Sequence, residues 1–90
     1  MPYIPVDDRR KFATSLECLE RDIKFHGISN GELNFLITTL SLMYIEEHGL
    51  TYNTGSDIIK ALECAKLEFY ARVMRPYEDK KIESNGDVYN

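Results

Sequence analysis

Arg72, Arg75, Lys80 and Lys81 stand close together, interleaved with Tyr70 and Tyr77 and followed by Tyr89. These residue types suit one chemistry above others. Guanidinium and ammonium groups hold phosphate oxygens through charge-assisted hydrogen bonds. Tyrosine rings offer faces on which a base can stack or a cation can rest. Arg9, Arg10 and Lys11 form a second basic group near the start of the chain. In an antiparallel bundle, the start of the first helix and the end of the third lie at the same end. That arrangement would bring the two groups together around an anionic, nucleotide-type ligand. A plainer reading stands beside it. Glu68 can pair with Arg72, and Glu78 and Asp79 can neutralise their neighbours, as surface ion pairs of little energetic weight.

Other chemistries find less support in the sequence. Cys18, Cys64, His26 and His48 are isolated, with none of the spacings of a zinc or metalloprotease motif. They read more simply as small buried or half-buried thiols and as imidazoles placed near helix C-termini. No GxSxG elbow is present, and no Ser or Cys has an evident His partner. Glu32 is best explained as a capping residue. Glu63 lies between Ile59 and Leu67, so it is expected to be partly buried and paired with Lys60 or Lys66. No catalytic residue and no cofactor is expected. Gly31 and Gly55 stand alone near helix starts, so neither reads as a glycine-rich phosphate loop.

Charge distribution narrows the partners further. The net charge is −4, and no Lys or Arg occurs between Phe25 and Ile59. Duplex binding needs a basic stripe, and none is visible. No apolar run reaches the length of a membrane span, so no membrane partner is expected. Two cysteines and no apolar leader point to a reducing cytoplasm. The 90 residues are expected to form one helical domain, residues 1–90. A chain this short buries only about 60–65% of its unfolded surface, which leaves a monomer marginal.

The elements that would carry these residues follow from periodicity. "PYIPV" is extended, because Pro2 and Pro5 disfavour helix in the residues before them. Helix A is expected over about residues 7–26, capped by Asp7 or Asp8. Phe12, Leu16, Leu19 and Ile23 form its apolar stripe, and Gly27 ends it. "SNGE" is a capping box that opens helix B, about residues 30–48. That helix is apolar on two sides. Leu33, Leu36, Ile37, Leu40, Met43 and Tyr44 form one face, and Phe35, Leu42 and Ile45 form the other. A helix of this kind needs cover on both sides, and a second copy of the chain can supply one of them. Helix C is expected over about residues 55–75, capped by Thr54 or Ser56 and ended by Pro76. Its stripe is Ile58, Leu62, Ala65, Phe69 and Val73. The remainder, residues 76–90, reads as an ordered arm or a short hairpin turning at Asn85-Gly86. The fold expected is therefore all-α: a three-helix bundle with an extended N-terminal segment and a C-terminal arm, assembled as a homo-oligomer.

Three stretches carry a family resemblance: "GELNFLITTL", "ALECAKLEFYARV" and "RPYEDKKIESNGDVY". Together they resemble a small protein family of bacteriophages and bacterial genomes, catalogued as a domain of unknown function. The resemblance implies a phage-type origin, and it brings no activity and no site residue. The functional expectation is a non-catalytic protein that sequesters a small anionic nucleotide-type ligand between subunits, in a counter-defence setting. Its candidate ligand-binding residues are Arg72, Arg75, Lys80, Lys81, Tyr70, Tyr77, Tyr89, Arg9 and Arg10. Two alternatives stay open: an interaction module that inhibits a host protein, and a small enzyme acting on a nucleotide.

Overall fold

The computed structural model describes residues 1–89. Asn90, the last position of the expected arm, lies outside the described residues. The chain is all-helical, with no strand among the described residues. Its elements are α1 (Val6–Arg10), α2 (Ala13–His26), α3 (Asn30–His48), α4 (Tyr52–Phe69), a π-helical turn (Tyr70–Met74) and α5 (Arg75–Asn85). The chain divides into two compact units. One is Pro2–Ile58, and the other is Met1 with the residues from Ile59 onward.

In the first unit the expected helix A is two helices. Asp7 and Asp8 do not cap α1; Pro5 holds that position in extended geometry, and the two carboxylates fall in the first turn. They suit the helix dipole there and pair with Arg10 (2.8 Å) and Lys11 (3.1 Å). At Phe12 the backbone leaves helical geometry (φ −111°, ψ 4°), and α2 begins one residue later. Gly27 terminates α2 with φ 75°, a conformation that favours glycine.

Ser29 and Glu32 close the capping box of α3 in both directions. Ser29 Oγ accepts from the Glu32 amide at 3.1 Å, and Glu32 Oε1 accepts from the Ser29 amide at 2.8 Å. Gly49 stops α3. The α3–α4 connection is tied by threonines rather than by the expected caps Thr54 or Ser56. Thr51 Oγ1 accepts from the Thr54 amide at 3.1 Å, and Thr54 Oγ1 accepts from the Thr51 amide at 2.8 Å. Thr51 is thus the cap, and α4 starts at Tyr52, three residues before the expected position. Tyr44 on α3 donates to Asp57 on α4 at 3.0 Å. The Asp57 carboxylate pushes the Tyr44 hydroxyl above its ordinary range.

In the second unit Pro76 does not end the helix. It has no N–H to give to the Arg72 carbonyl, and its ring crowds that carbonyl. The backbone answers by widening for one turn. The Arg75 N–H bonds to the Tyr70 carbonyl, five residues back. Pro76 then sits in the first turn of α5, where a missing N–H costs nothing. The expected hairpin is absent, because Asn85 is the last residue of α5 and Gly86 (φ 90°) is its stop. Asn-Gly signals a hairpin only when the flanking runs pair as strands. Here "EDKKIE" has good helix formers before it, so glycine serves as the C-terminal cap.

Neither unit encloses a core. No described residue is buried, and the apolar stripes predicted for the helices are open to solvent. On α3 both predicted faces are uncovered, with Phe35 and Leu40 each 65% exposed and Leu42 63%. Leu19, Ile23, Leu36 and Ile45 are only half-buried. The chain exposes 8259 Å² in all. A folded monomer of 10.5 kDa exposes about 5,400 Å².

Candidate functional site

The second unit holds a groove of about 480 Å³ that gathers several of the expected ligand residues. Tyr70, Arg75, Lys81 and Tyr89 line it. The π-turn sets this arrangement, since it carries Tyr70 at its start and hands the chain to α5 at Arg75. Arg75 is oriented by Asp79 one turn later. Its Nη2 lies 2.8 Å from Asp79 Oδ1, and its Nε donates to the same oxygen at 3.0 Å. The carboxylate holds the guanidinium proton more firmly than usual. Lys81 lies over the Tyr77 ring, 5.5 Å from its centroid.

Tyr89 reaches the groove through the segment after Gly86. Its amide donates to Asp87 Oδ1 at 2.8 Å, a local turn made by the aspartate side chain. The ring itself is 84% exposed, so it forms one open wall.

Other expected site residues fall elsewhere. Arg72, Lys80 and Tyr77 are not in the groove lining. Arg9 and Arg10 belong to the other unit and are engaged locally. Arg9 Nε donates to the Ile4 carbonyl at 2.7 Å, and Arg10 donates to Asp7 at 2.8 Å.

The groove also has residues that the sequence reading did not assign to it. Glu78, Asp87, Ile82 and Asn85 line it too. Two carboxylates therefore face two cations, so the groove is amphoteric rather than plainly basic. Glu78, Ile82 and Asn85 recur with Lys81 at helical spacing. They share a face only if residues 75–85 are read as a helix, and the hairpin expectation hid that.

The acidic and thiol candidates are also placed. Glu63 pairs with Lys66 at 3.1 Å, but its side chain stays 55% exposed, so the expected burial does not occur. Cys18 is exposed, against the expectation of a buried or half-buried thiol, whereas Cys64 is half-buried as expected. No group of three or more metal-type donors occurs among the described residues. Among the described residues, no helix is long and apolar enough to cross a membrane. Glu32 is held below the usual carboxylate range, first by the Ser29 amide and then by the Ser29 hydroxyl. That shift has a structural cause, the capping box.

No curated protein and no solved structure matches the chain. A family model described as Domain of unknown function (DUF6899) matches residues 1–88. The chain belongs to that family.

Proposed function

We propose that the protein is a non-catalytic binding protein, and that the groove beside α5 takes a small nucleotide-type ligand. The observation that carries this reading is the composition of the groove: Arg75 and Lys81, Glu78 and Asp87, and the rings of Tyr70 and Tyr89 around about 480 Å³. A phosphate accepts hydrogen bonds, and the two cations donate them. Ribose hydroxyls and base amino groups donate, and the two carboxylates accept. The rings supply stacking surface. A simple inorganic anion would use only the first of these features. Volumes of this size suit small-molecule ligands.

In this reading the ligand is held and not turned over. Sequestration of a nucleotide signal in a phage counter-defence setting, by analogy with the phage-type origin that the sequence resemblance implies, is the biological form of the proposal. A homo-oligomer belongs to the same proposal. A neighbouring copy would close the open wall at Tyr89 and place the ligand between subunits. A helical bundle completed by that copy is the finer form of the fold.

The test is thermal stability against a panel of adenosine and guanosine mono- and triphosphates. A ligand that binds only the folded state raises the melting temperature. A shift with at least one nucleotide, lost in Arg75→Ala and kept in Lys60→Ala, is the expected result. Equal stability with and without every nucleotide would overturn the reading.

A second reading has its own observation. Phe35 and Leu42 present large exposed apolar side chains on the second face of α3, and exposed apolar surface of this kind marks interaction sites. An interaction module that inhibits a host protein would use that surface. Co-purification of one stoichiometric host protein, released when Leu42 is changed to Glu, would favour it.

A further inference from the structure

We infer that the apolar cleft between α2 and α3 is the self-association surface of this protein, and that its occupant is the α2–α3 pair of a second copy. This inference shares with the functional proposal the expectation of self-association, but it needs no ligand. The cleft lies wholly inside the first unit and measures about 520 Å³. Phe12, Leu16, Leu19, Leu36, Leu40 and Met43 form its walls, and none of the lining residues is charged. Walls of this composition accept an apolar helix face and reject a charged one.

The loop joining α2 to α3 is short, residues 27–29. Yet α2 and α3 do not pack backbone to backbone along their lengths. Their facing stripes stay exposed: Phe12 56%, Leu16 60%, Leu40 65% and Met43 56%. A hairpin whose inner faces are apolar and exposed is half of a four-helix arrangement. A second identical hairpin can complete it, since a twofold pairing sets the same patch against itself.

The exposed area sets the scale. The chain shows 8259 Å², about 2,800 Å² more than a folded monomer of its mass. Stable interfaces take roughly 800 Å² from each partner, and obligate pairs take more. That excess belongs to the whole chain, both units included, and within the first unit Phe12, Leu16, Leu40 and Met43 of the cleft are among the side chains left open. A second copy is also the occupant whose concentration always matches that of the cleft. The stretch from Phe25 to Ile59 contains all of α3 and holds no Lys or Arg. Two copies of α3 can therefore approach without placing like cations together.

The test is cross-linking of the full chain. Ser15 lines the cleft, and Glu17 lies two residues away on α2, on the helix face expected to be polar. In a Cys18→Ser, Cys64→Ser background, Ser15→Cys is expected to form a disulfide between copies under mild oxidation, and Glu17→Cys is not. Mixing isotopically light and heavy chains reports whether each linked pair joins two molecules. Leu40→Arg is expected to weaken dimerisation by at least about tenfold, because a charge replaces a central apolar contact. If that variant is unfolded, the cross-linking of the Ser15→Cys chain still decides. Absence of an intermolecular Ser15→Cys disulfide would overturn the inference, as would equal cross-linking at Glu17→Cys. A monomer that covers its own cleft, or a host protein seated there, would each give the first of these results. A dimer that cross-links but ignores every nucleotide would leave this inference standing and remove the ligand proposal alone.

Discussion

At the scale of single residues, the clearest device is the Ser29–Glu32 capping box. Ser29→Ala removes the bond to the Glu32 amide, and such losses cost about 1 kcal/mol. Chemical denaturation of the variant beside the parent chain measures it. Glu32 makes the same cap sensitive to acid. Its carboxyl titrates lower in the folded chain than in the unfolded one, because the Ser29 amide and hydroxyl bond to the charged form. Its contribution is therefore fully present above the ordinary carboxylate range and is lost as the pH falls through the lowered folded value. A melting profile taken from neutral to acid pH should decline in that region. Glu32→Gln should decline less there, since glutamine keeps a capping oxygen without the titration. Equal decline in the two chains would show that other carboxylates govern the acid limb. Type and nearness in sequence grouped Arg72, Arg75, Lys80, Lys81, Tyr70, Tyr77 and Tyr89, and of these Arg75, Lys81, Tyr70 and Tyr89 line the groove while Arg72, Lys80 and Tyr77 do not. Arg9 and Arg10 were grouped with them by assuming a bundle geometry, and composition could not supply that.

At the scale of elements, stop signals were read well where they act through one residue. Gly27 and Gly49 end α2 and α3 where glycine was expected to end helices. Pro76 was misread, since proline has two outcomes and local sequence does not choose between them. It can stop a helix, or it can sit in the first turn of the next one after a π-turn. The π-turn has a consequence for the groove. It adds one residue to a helical turn, so residues after Arg75 are displaced by about 100° around the axis from their α-helical positions. Tyr70 precedes that change, while Arg75 and Lys81 follow it. Pro76→Ala restores an N–H that can reach the Arg72 carbonyl, and the turn is expected to tighten to α-helix. Any nucleotide-dependent rise in melting temperature should then shrink, although no groove-lining residue has changed. Amide exchange at residues 70–76 should slow in the same variant. Unaltered exchange would mean that Pro76 does not set the turn.

At the scale of the whole molecule, helical periodicity showed which residues want cover but not what covers them. The two apolar faces of α3 were visible from Leu36, Leu40 and Met43 on one side and Phe35 and Leu42 on the other. In the single chain most of these side chains remain exposed, and none is buried. A chain with no buried residue among those described has little hydrophobic stabilisation of its own. Its folding should then be linked to its concentration, since association stabilises the folded form by mass action. Sedimentation equilibrium of the untagged wild-type chain in dilute solution tests this most directly. The account predicts a particle of two 10.5 kDa chains, helical by circular dichroism, whose dissociation on dilution goes together with loss of helix. A single 10.5 kDa chain that keeps its helix and unfolds cooperatively at every concentration would contradict it.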